Sequence, residues 1–419
     1  MRFGILYHHQ LPRPWEEDSE ERLYNESLEQ IELADKLGFD YAWATEHHFL
    51  EEYSHSSAPE VFLAAAAART RQIRLAHGIV SLPTAVNHPV RVAERLATLD
   101  LISGGRVDFG TGAGSSQLEL GAFGVDRDTK KEQWQESLEI ITRLLTETPF
   151  TGYEGQWASV PPRNLLPKPK QKPHPPLWMA CSARTTIETA ARGGMGALSF
   201  SFVSPEEAKD WVDTYYDIIA SEECVPAGKT VNPNFSVVFP FMCHPDEETA
   251  LDRGLDGAHF FSYSLMHYYI TGQHRPGVTD VWQDFQDNRA SVGLTREPVA
   301  VADGEEPSAE AKAMLEQITS LRRGIGTPEQ IRDTLRRYEQ AGVDQVIFSV
   351  QIGKNQHEHI MESLELFARE VMPEFVERRE ARESAKEERL AVPVKEALGR
   401  VAENTADVSD YVISPELGA

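Results

Sequence analysis

The chain has 419 residues and a formal net charge of −25, from 66 acidic against 41 basic side chains. That field repels nucleic acid and anionic membrane surfaces, so neither is an expected partner. Hydrophobic residues make up 41% of the chain, enough for a large core, and no apolar run approaches the roughly 18 residues of a membrane span.

Short apolar runs alternate with helical periodicity from the start, the pattern of βα units around a parallel sheet. Residues 3–7 predict the first strand, a run too short for the apolar core of a signal peptide. Leu28, Ile31, Ala34 and Leu37 then recur at helical spacing as far as Gly38. Residues 41–44 form the second predicted strand and open into Glu46-His47-His48-Phe49. An Ala-rich helix follows Pro59, residues 73–80 make a third strand, and Pro89 suits the first turn of the next helix. Strands follow at 106–110, 177–180, 197–200 and 235–242, the last with Pro240 marking an edge, bulge or exit. A helix spans 134–145. A closing unit consists of a helix at 328–341, a strand at 345–350 and a helix at 357–371.

Eight strands with intervening helices predict a closed (β/α)8 TIM barrel over residues 1–375. The turn after the first strand lacks G-x-G-x-x-G, which argues against a dinucleotide-binding sheet. Residues 149–176, rich in Pro, Gly and Lys, predict a loop or hairpin insertion. Residues 259–326 read as an irregular, lid-like region with an acidic patch at Asp303, Glu305 and Glu306. Residues 376–419 read as a charged appendage, partly helical or disordered. Cys181, Cys224 and Cys243 are odd in number and widely spaced, which suits a reducing cytoplasm.

In such a barrel, chemistry collects at the C-terminal ends of the strands. After the second strand only one of His47 and His48 can face the mouth, where it could act as a general acid or base; a hydrogen-bonded structural pair is the alternative. His55, Glu51 and Glu52 add no established metal-ligand spacing. Gly78 permits either close approach of a planar ligand or tight packing against the next strand. Thr111, Gly112 and Ala113 lie in a glycine run whose backbone N–H groups could cradle an anion or a ring edge. Ala180, Cys181, Ser182, Arg184 and Thr185 close the fifth strand, where Thr185 and Glu188 have capping-box spacing. Free helix N–H groups, hydroxyls and a cation together make a credible phosphate site; an ordinary capped helix with Arg184 in solvent is the alternative.

Taken in order, these segments resemble the bacterial luciferase-like monooxygenases. The resemblance runs through "MRFGILY", "LGFDYAWATEHHF", "GIVSLPTAVNHPVRVAERLATLDLISGGRVDFGTG", "FGVD", "WMACSARTTIETAARGG" and "GTPEQIRDTLRRYEQAGVDQVIF" to "LELFAREVMP". It implies a barrel that binds reduced FMN delivered by a separate flavin reductase, with oxygen forming a flavin peroxide that oxidises a small apolar organic substrate. It implies His47 as the catalytic histidine, Gly78-Ile79 as the site of a cis peptide bond beneath the flavin, and Ser182 and Thr185 as phosphate hydroxyls. Dimers are usual in the family, so a homodimer is expected. Gly112 and Ala113 replace a reactive cysteine and an arginine of luciferase, and Cys181 replaces a phosphate-site glutamate. Those replacements argue against light emission and leave Arg184 as a substitute cation. A deazaflavin used for hydride transfer on the same barrel is the rival reading, and a non-catalytic flavin-binding subunit is a third. Tyr268-Tyr269, His274-Arg275 and Trp282–Phe285 are expected to form either a mobile lid over the substrate or a packed surface loop.

Overall fold

A computed structural model describes residues 1–200, 203–296 and 321–414. Eight parallel strands close into a ring: β1 (Arg2–Tyr7), β2 (Tyr41–Ala44), β3 (Arg74–His77), β4 (Val107–Gly112), β5 (Leu177–Cys181), β6 (Gly196–Ser199), β7 (Phe235–Pro240) and β8 (Gln345–Gln351). Each strand pairs with its successor, and β8 returns to β1 with Phe3 opposite Val346 and Leu6 opposite Ser349. The predicted TIM barrel is therefore the observed one.

The two-residue side-chain period sorts the core into two compartments. Leu6, Tyr41, Trp43, Ala76, Trp178, Leu198, Val238 and Ile347 fill the barrel interior. Phe3, Ile5, Tyr7, Ala42, Leu75, Phe109, Val346 and Phe348 face the helix layer. Gly4 admits the large rings, because a Cβ there would lie 3.1 Å from Trp43. At the base of the barrel, Asp108 is buried and accepts from Arg74 and from the Trp178 indole N–H, so its charge is paired.

The surrounding helices are α1 (Ser19–Leu37), α2 (Pro59–Arg69), α3 (Pro89–Ile102), α4 (Gln117–Ala122), α5 (Lys130–Thr146), α6 (Arg184–Arg192), α7 (Pro205–Ile219), α8 (Glu247–Met266), α9 (Val281–Asn288), α10 (Pro328–Gln340), α11 (His357–Glu370) and α12 (Met372–Gly399). Among the described residues no helix is long and apolar enough to cross a membrane.

Several elements differ from the sequence reading. The run at 73–80 breaks after His77 and resumes at Val80–Ser81, which pairs with Thr111 and Gly112. The predicted seventh strand ends at Pro240, and Met242–Cys243 pairs instead with Ile325–Gly326. The stretch from 149 to 176 contains a short hairpin, Tyr153–Glu154 with Ser159–Val160.

The region expected to be irregular from His259 begins inside α8, continues as a π-helix (His267–Thr271) and includes α9. Gly254 and Gly257 masked this helix in the sequence, since each lowers helical propensity. Both are packing glycines: a Cβ would lie 2.5 Å from Met242 at Gly254 and 2.3 Å from the Asn355 amide oxygen at Gly257. The acidic patch at Asp303, Glu305 and Glu306 lies outside the described residues.

The charged tail is no appendage over its first part. In α12, Arg379 makes paired 2.8 Å bonds to both oxygens of Asp40, Arg2 pairs with Glu383, and Lys386 bonds Asp344 and Asn234. Leu390 and Ala397 are buried. The helix fastens to β1, to the turns preceding β2 and β8, and thus to the N-terminal end of the barrel. Its charge-rich sequence hid this role, because the anchoring residues are ion pairs rather than an apolar stripe.

Candidate active site

β2 ends at Ala44 and delivers Glu46, His47 and His48 to the mouth of the barrel, where the two histidine rings take different partners. The His47 ring lies against Tyr53, His8 and Tyr269, with centroids 5.4, 6.2 and 6.5 Å away. Its Nδ1 is 3.1 Å from Oε1 of Glu119 on α4 and 3.4 Å from the Tyr269 hydroxyl. A carboxylate only accepts, so Glu119 selects the tautomer with the proton on Nδ1 and leaves Nε2 as the acceptor. The same Glu119 oxygen accepts the His48 backbone N–H at 2.8 Å.

His48 turns its ring to Phe123 and its Nε2 to Glu46, 3.1 Å away. Burial pulls its pKa down, but the Glu46 hydrogen bond and charge outweigh that and raise it above the ordinary histidine range. Glu46 also accepts the Ser81 backbone N–H at 2.8 Å and the Asn87 amide at 2.7 Å. The His47–His48 element is thereby tied both to α4 and to the chain just beyond β3.

Between β3 and Val80 the Gly78–Ile79 peptide bond is cis. Gly78 itself packs inside the barrel, where a Cβ would meet Leu6 and Trp43 at 3.3 and 3.4 Å. The tightest approach is made by its neighbours. A Cβ on Gly110 would lie 2.0 Å from the His77 carbonyl oxygen, and one on Gly112 would lie 2.9 Å from Ile79. Gly112 is also the neighbour of Ala180 on β5, so Ile79, Gly112 and Ala180 form one wall of small groups.

The remaining sequence candidates divide by side-chain direction. Thr111 points into the helix layer, where its hydroxyl accepts from the Trp134 indole N–H at 3.1 Å. Cys181 also points outward, donating to the carbonyls of Met179 and Thr186, and burial pushes its thiol up to about 12. Neither side chain can touch a ligand at the mouth; only their backbones are available there. Ala113 is half-buried, while Ser182 and Thr185 are exposed at the start of α6.

The expected Thr185–Glu188 capping box is replaced by another cap. Ala183 is the N-cap, and the Thr186 hydroxyl accepts the backbone N–H groups of Ser182 and Ala183 at 3.2 Å. Arg184 turns away to Asp210 at 2.5 Å and Thr214 at 2.9 Å. The cation nearest Ala113 is instead Lys130, whose ammonium donates to the Gly114 carbonyl at 2.5 Å. Burial, with Arg127 and Lys131 nearby, lowers its pKa.

Residues 268–282 close over this mouth. Ser116 donates to the Tyr268 carbonyl at 3.3 Å, and the Tyr268 hydroxyl bonds the Glu51 carbonyl. Glu52 is fully buried and accepts three backbone N–H groups, those of Arg13, Val281 and Trp282, at 2.9, 2.7 and 3.1 Å. The aromatic segment is thus packed, and it is packed against His47.

Sequence reasoning missed Glu119, Tyr53 and His8. The one local signal for Glu119 was its Ser116-x-x-Glu119 spacing, which suggests a capping box. In the fold Ser116 bonds Tyr268 instead, and the glutamate is free to reach His47.

A family model described as luciferase-like monooxygenase matches residues 1–345. The 4-hydroxyprotoasukamycin monooxygenase of Streptomyces nodosus subsp. asukaensis is 29% identical over 357 residues, 83% of this chain and 86% of that protein. The oxygenase component of flavin-dependent trigonelline monooxygenase from Acinetobacter baylyi is 26% identical over 397 residues, 92% of this chain and 99% of its own. Against some other curated relatives the match spans only 47% to 60% of their length. The crystal structure of monooxygenase RslO1 from Streptomyces bottropensis superposes with a TM-score of 0.68 at 26% identity, covering 90% of this chain and all of that one. With a barrel of this closure, a histidine at the mouth and a family model that matches most of its length, the chain belongs to the luciferase-like monooxygenases.

Proposed function

We propose that the chain is the oxygenase component of a two-component, FMN-dependent monooxygenase. It takes reduced FMN from a separate reductase and, with molecular oxygen, oxidises a small apolar organic substrate in the cytoplasm. The observation that carries this reading is the His47 ring held by Glu119 at the barrel mouth, just beyond the strand beside the one that leads into Gly78–Ile79.

The residues present fit the cofactor. The Gly78–Ile79, Gly112 and Ala180 wall offers a surface without bulky or charged groups, suited to the face of a flat ring. The exposed hydroxyls of Ser182 and Thr185 at the start of α6 suit a phosphate, and Lys130 supplies a cation where luciferase has its arginine. Reduced flavin, when bound, supplies the electrons that activate oxygen. His47 presents Nε2 to the reacting region as an acceptor or, once protonated, as a donor, with Glu119 stabilising the imidazolium. Tyr53, Tyr269 and the Tyr268 segment exclude water from that region. A homodimer is part of this reading, from the family resemblance.

The test is anaerobic binding of reduced FMN against reduced deazaflavin, followed by oxygen. Preferential FMN binding with oxygen consumption that depends on His47 supports the reading. Preferential deazaflavin binding without oxygen consumption assigns the barrel to hydride transfer instead.

A further inference from the structure

The residues proposed to hold FMN lie on the β3, β4 and β5 side of the ring. The opposite wall of the mouth is made by β8 and β1. Along it, three buried polar side chains carry atoms with no hydrogen-bond partner among the described residues: Nδ1 of His8, the hydroxyl of Ser349 and Oε1 of Gln351. His8 follows β1 on the inward phase set by Gly4 and Leu6. Ser349 continues the inward phase set by Ile347 on β8 and stands opposite Leu6; the register then slips by one residue, so that Gln351 comes beside Tyr7 and bonds the Gln10 carbonyl. All three therefore lie at the adjoining ends of β1 and β8, the end of the barrel that also holds His47.

Buried polar atoms are almost always satisfied, by protein, water or ligand. The other inward-facing orphans, Trp43 Nε1 and the Gln345 amide, cluster around Gly4 at the α12 end and suit internal water. The His8 group differs by its place at the reactive end. Phe261 and Tyr53 pack on the His8 ring with centroids 4.9 and 5.8 Å away, so the polar atoms sit within an aromatic wall. The Gln351 amide N–H₂ is already committed to the Gln10 carbonyl at 2.8 Å, leaving its Oε1 as a pure acceptor. Burial, reinforced by His47 and His9, keeps His8 neutral. The carboxyl groups at this mouth include Glu46, Glu119 and Glu51; Arg13 is paired with Glu51, and Lys354 lies over the Trp282 ring.

We propose that His8, with Ser349 and Gln351 on the adjoining strand, forms a neutral hydrogen-bonding cradle for a hydroxyl group carried on an aromatic or carbocyclic substrate. A hydroxyl both donates, to Gln351 Oε1, and accepts, from Ser349 or His8, which matches the three orphans. A carboxylate meets Glu119, and a plain hydrocarbon leaves the orphans unpaired. This inference rests on the flavin-dependent reading of the same mouth and names its substrate class.

The experiment titrates the full-length protein with 4-methylphenol, 4-methylbenzoate and toluene by calorimetry, with and without FMN. The wild type is compared with His8→Phe and Ser349→Ala, the second being small enough to preserve the fold. Binding of 4-methylphenol at least about tenfold tighter than the other two, weakened about tenfold by either substitution, supports the cradle. Equal affinity for the three probes, no binding of 4-methylphenol, or unchanged affinity in both variants overturns it. The affinity for FMN is read separately in the wild type, so failure of the flavin reading shows there, while the titration without FMN still reports on the cradle.

Discussion

Glu119 and His47 form a hydrogen-bonded pair at the mouth of the barrel, with Oε1 3.1 Å from Nδ1, and the same oxygen accepts the backbone N–H of His48 at 2.8 Å. One carboxylate thus sets both the tautomer of the ring and the path of the backbone that carries it. Such orienting carboxylates matter to function without touching substrate.

Glu119→Gln removes the charge but keeps an acceptor, so the fold is retained. The expected result is a turnover lower by about 10- to 100-fold. Glu119→Asp restores part of it. Steady-state kinetics with coupled FMN reduction checks this; an unchanged turnover in Glu119→Gln separates the pair from the chemistry.

Lys130 and Arg184 compete as the phosphate cation, and the structure separates them. Arg184 is already paired with Asp210, whereas among the described residues Lys130 bonds a carbonyl, that of Gly114. Lys130→Ala is expected to weaken FMN binding by about tenfold, with a smaller loss at high salt, and Lys130→Arg to preserve it. Arg184→Ala is expected to change FMN affinity by less than about twofold. Fluorescence titration of FMN at two ionic strengths decides between them.

Buried histidines make the fold sensitive to mild acid. Burial lowers His9 to about 3 and His259 to about 4, and holds His8 and His77 below the ordinary range. The unfolded chain therefore takes up these protons first. The stabilising contribution is complete above about pH 6.5 and is lost as the pH falls through 6.5 towards 4, at about 1.4 kcal/mol per pH unit for each such histidine. Urea denaturation at pH 7.5, 6.5 and 5.5 measures it; equal stability at all three values contradicts it.

The aromatic segment over the mouth is held by Glu52. Glu52→Ala strands the N–H groups of Arg13, Val281 and Trp282, at a cost of about 2 to 4 kcal/mol. Hydrogen exchange should accelerate at residues 281–282 while the amides of β1 stay protected. Uniform acceleration across both would show that Glu52 supports the whole barrel rather than this segment.

The order of strands and helices was legible because each βα unit announces itself locally. Apolar runs of strand length, helical spacing and Gly or Pro boundaries need no tertiary information, whereas the choice of His47 over His48 came from the family resemblance and not from spacing. The readings that failed are those where a residue serves a distant partner. Gly254 and Gly257 look like helix breakers and are packing sites against Met242 and Asn355. The charges of α12 look like a solvated tail and are anchors to Asp40, Arg2 and Asp344. Thr111 and Cys181 turn their side chains outward by their alternation phase, so any part they take at the mouth is through the backbone, as the glycine-run reading expected for Thr111. Glu119 lies 72 residues from His47, and Gln351 lies 341 residues from Gln10, so neither partnership has a local signature. Periodicity within each element determined the barrel; closure of the ring decided which side chains share its mouth, because only closure brings the ends of distant strands together.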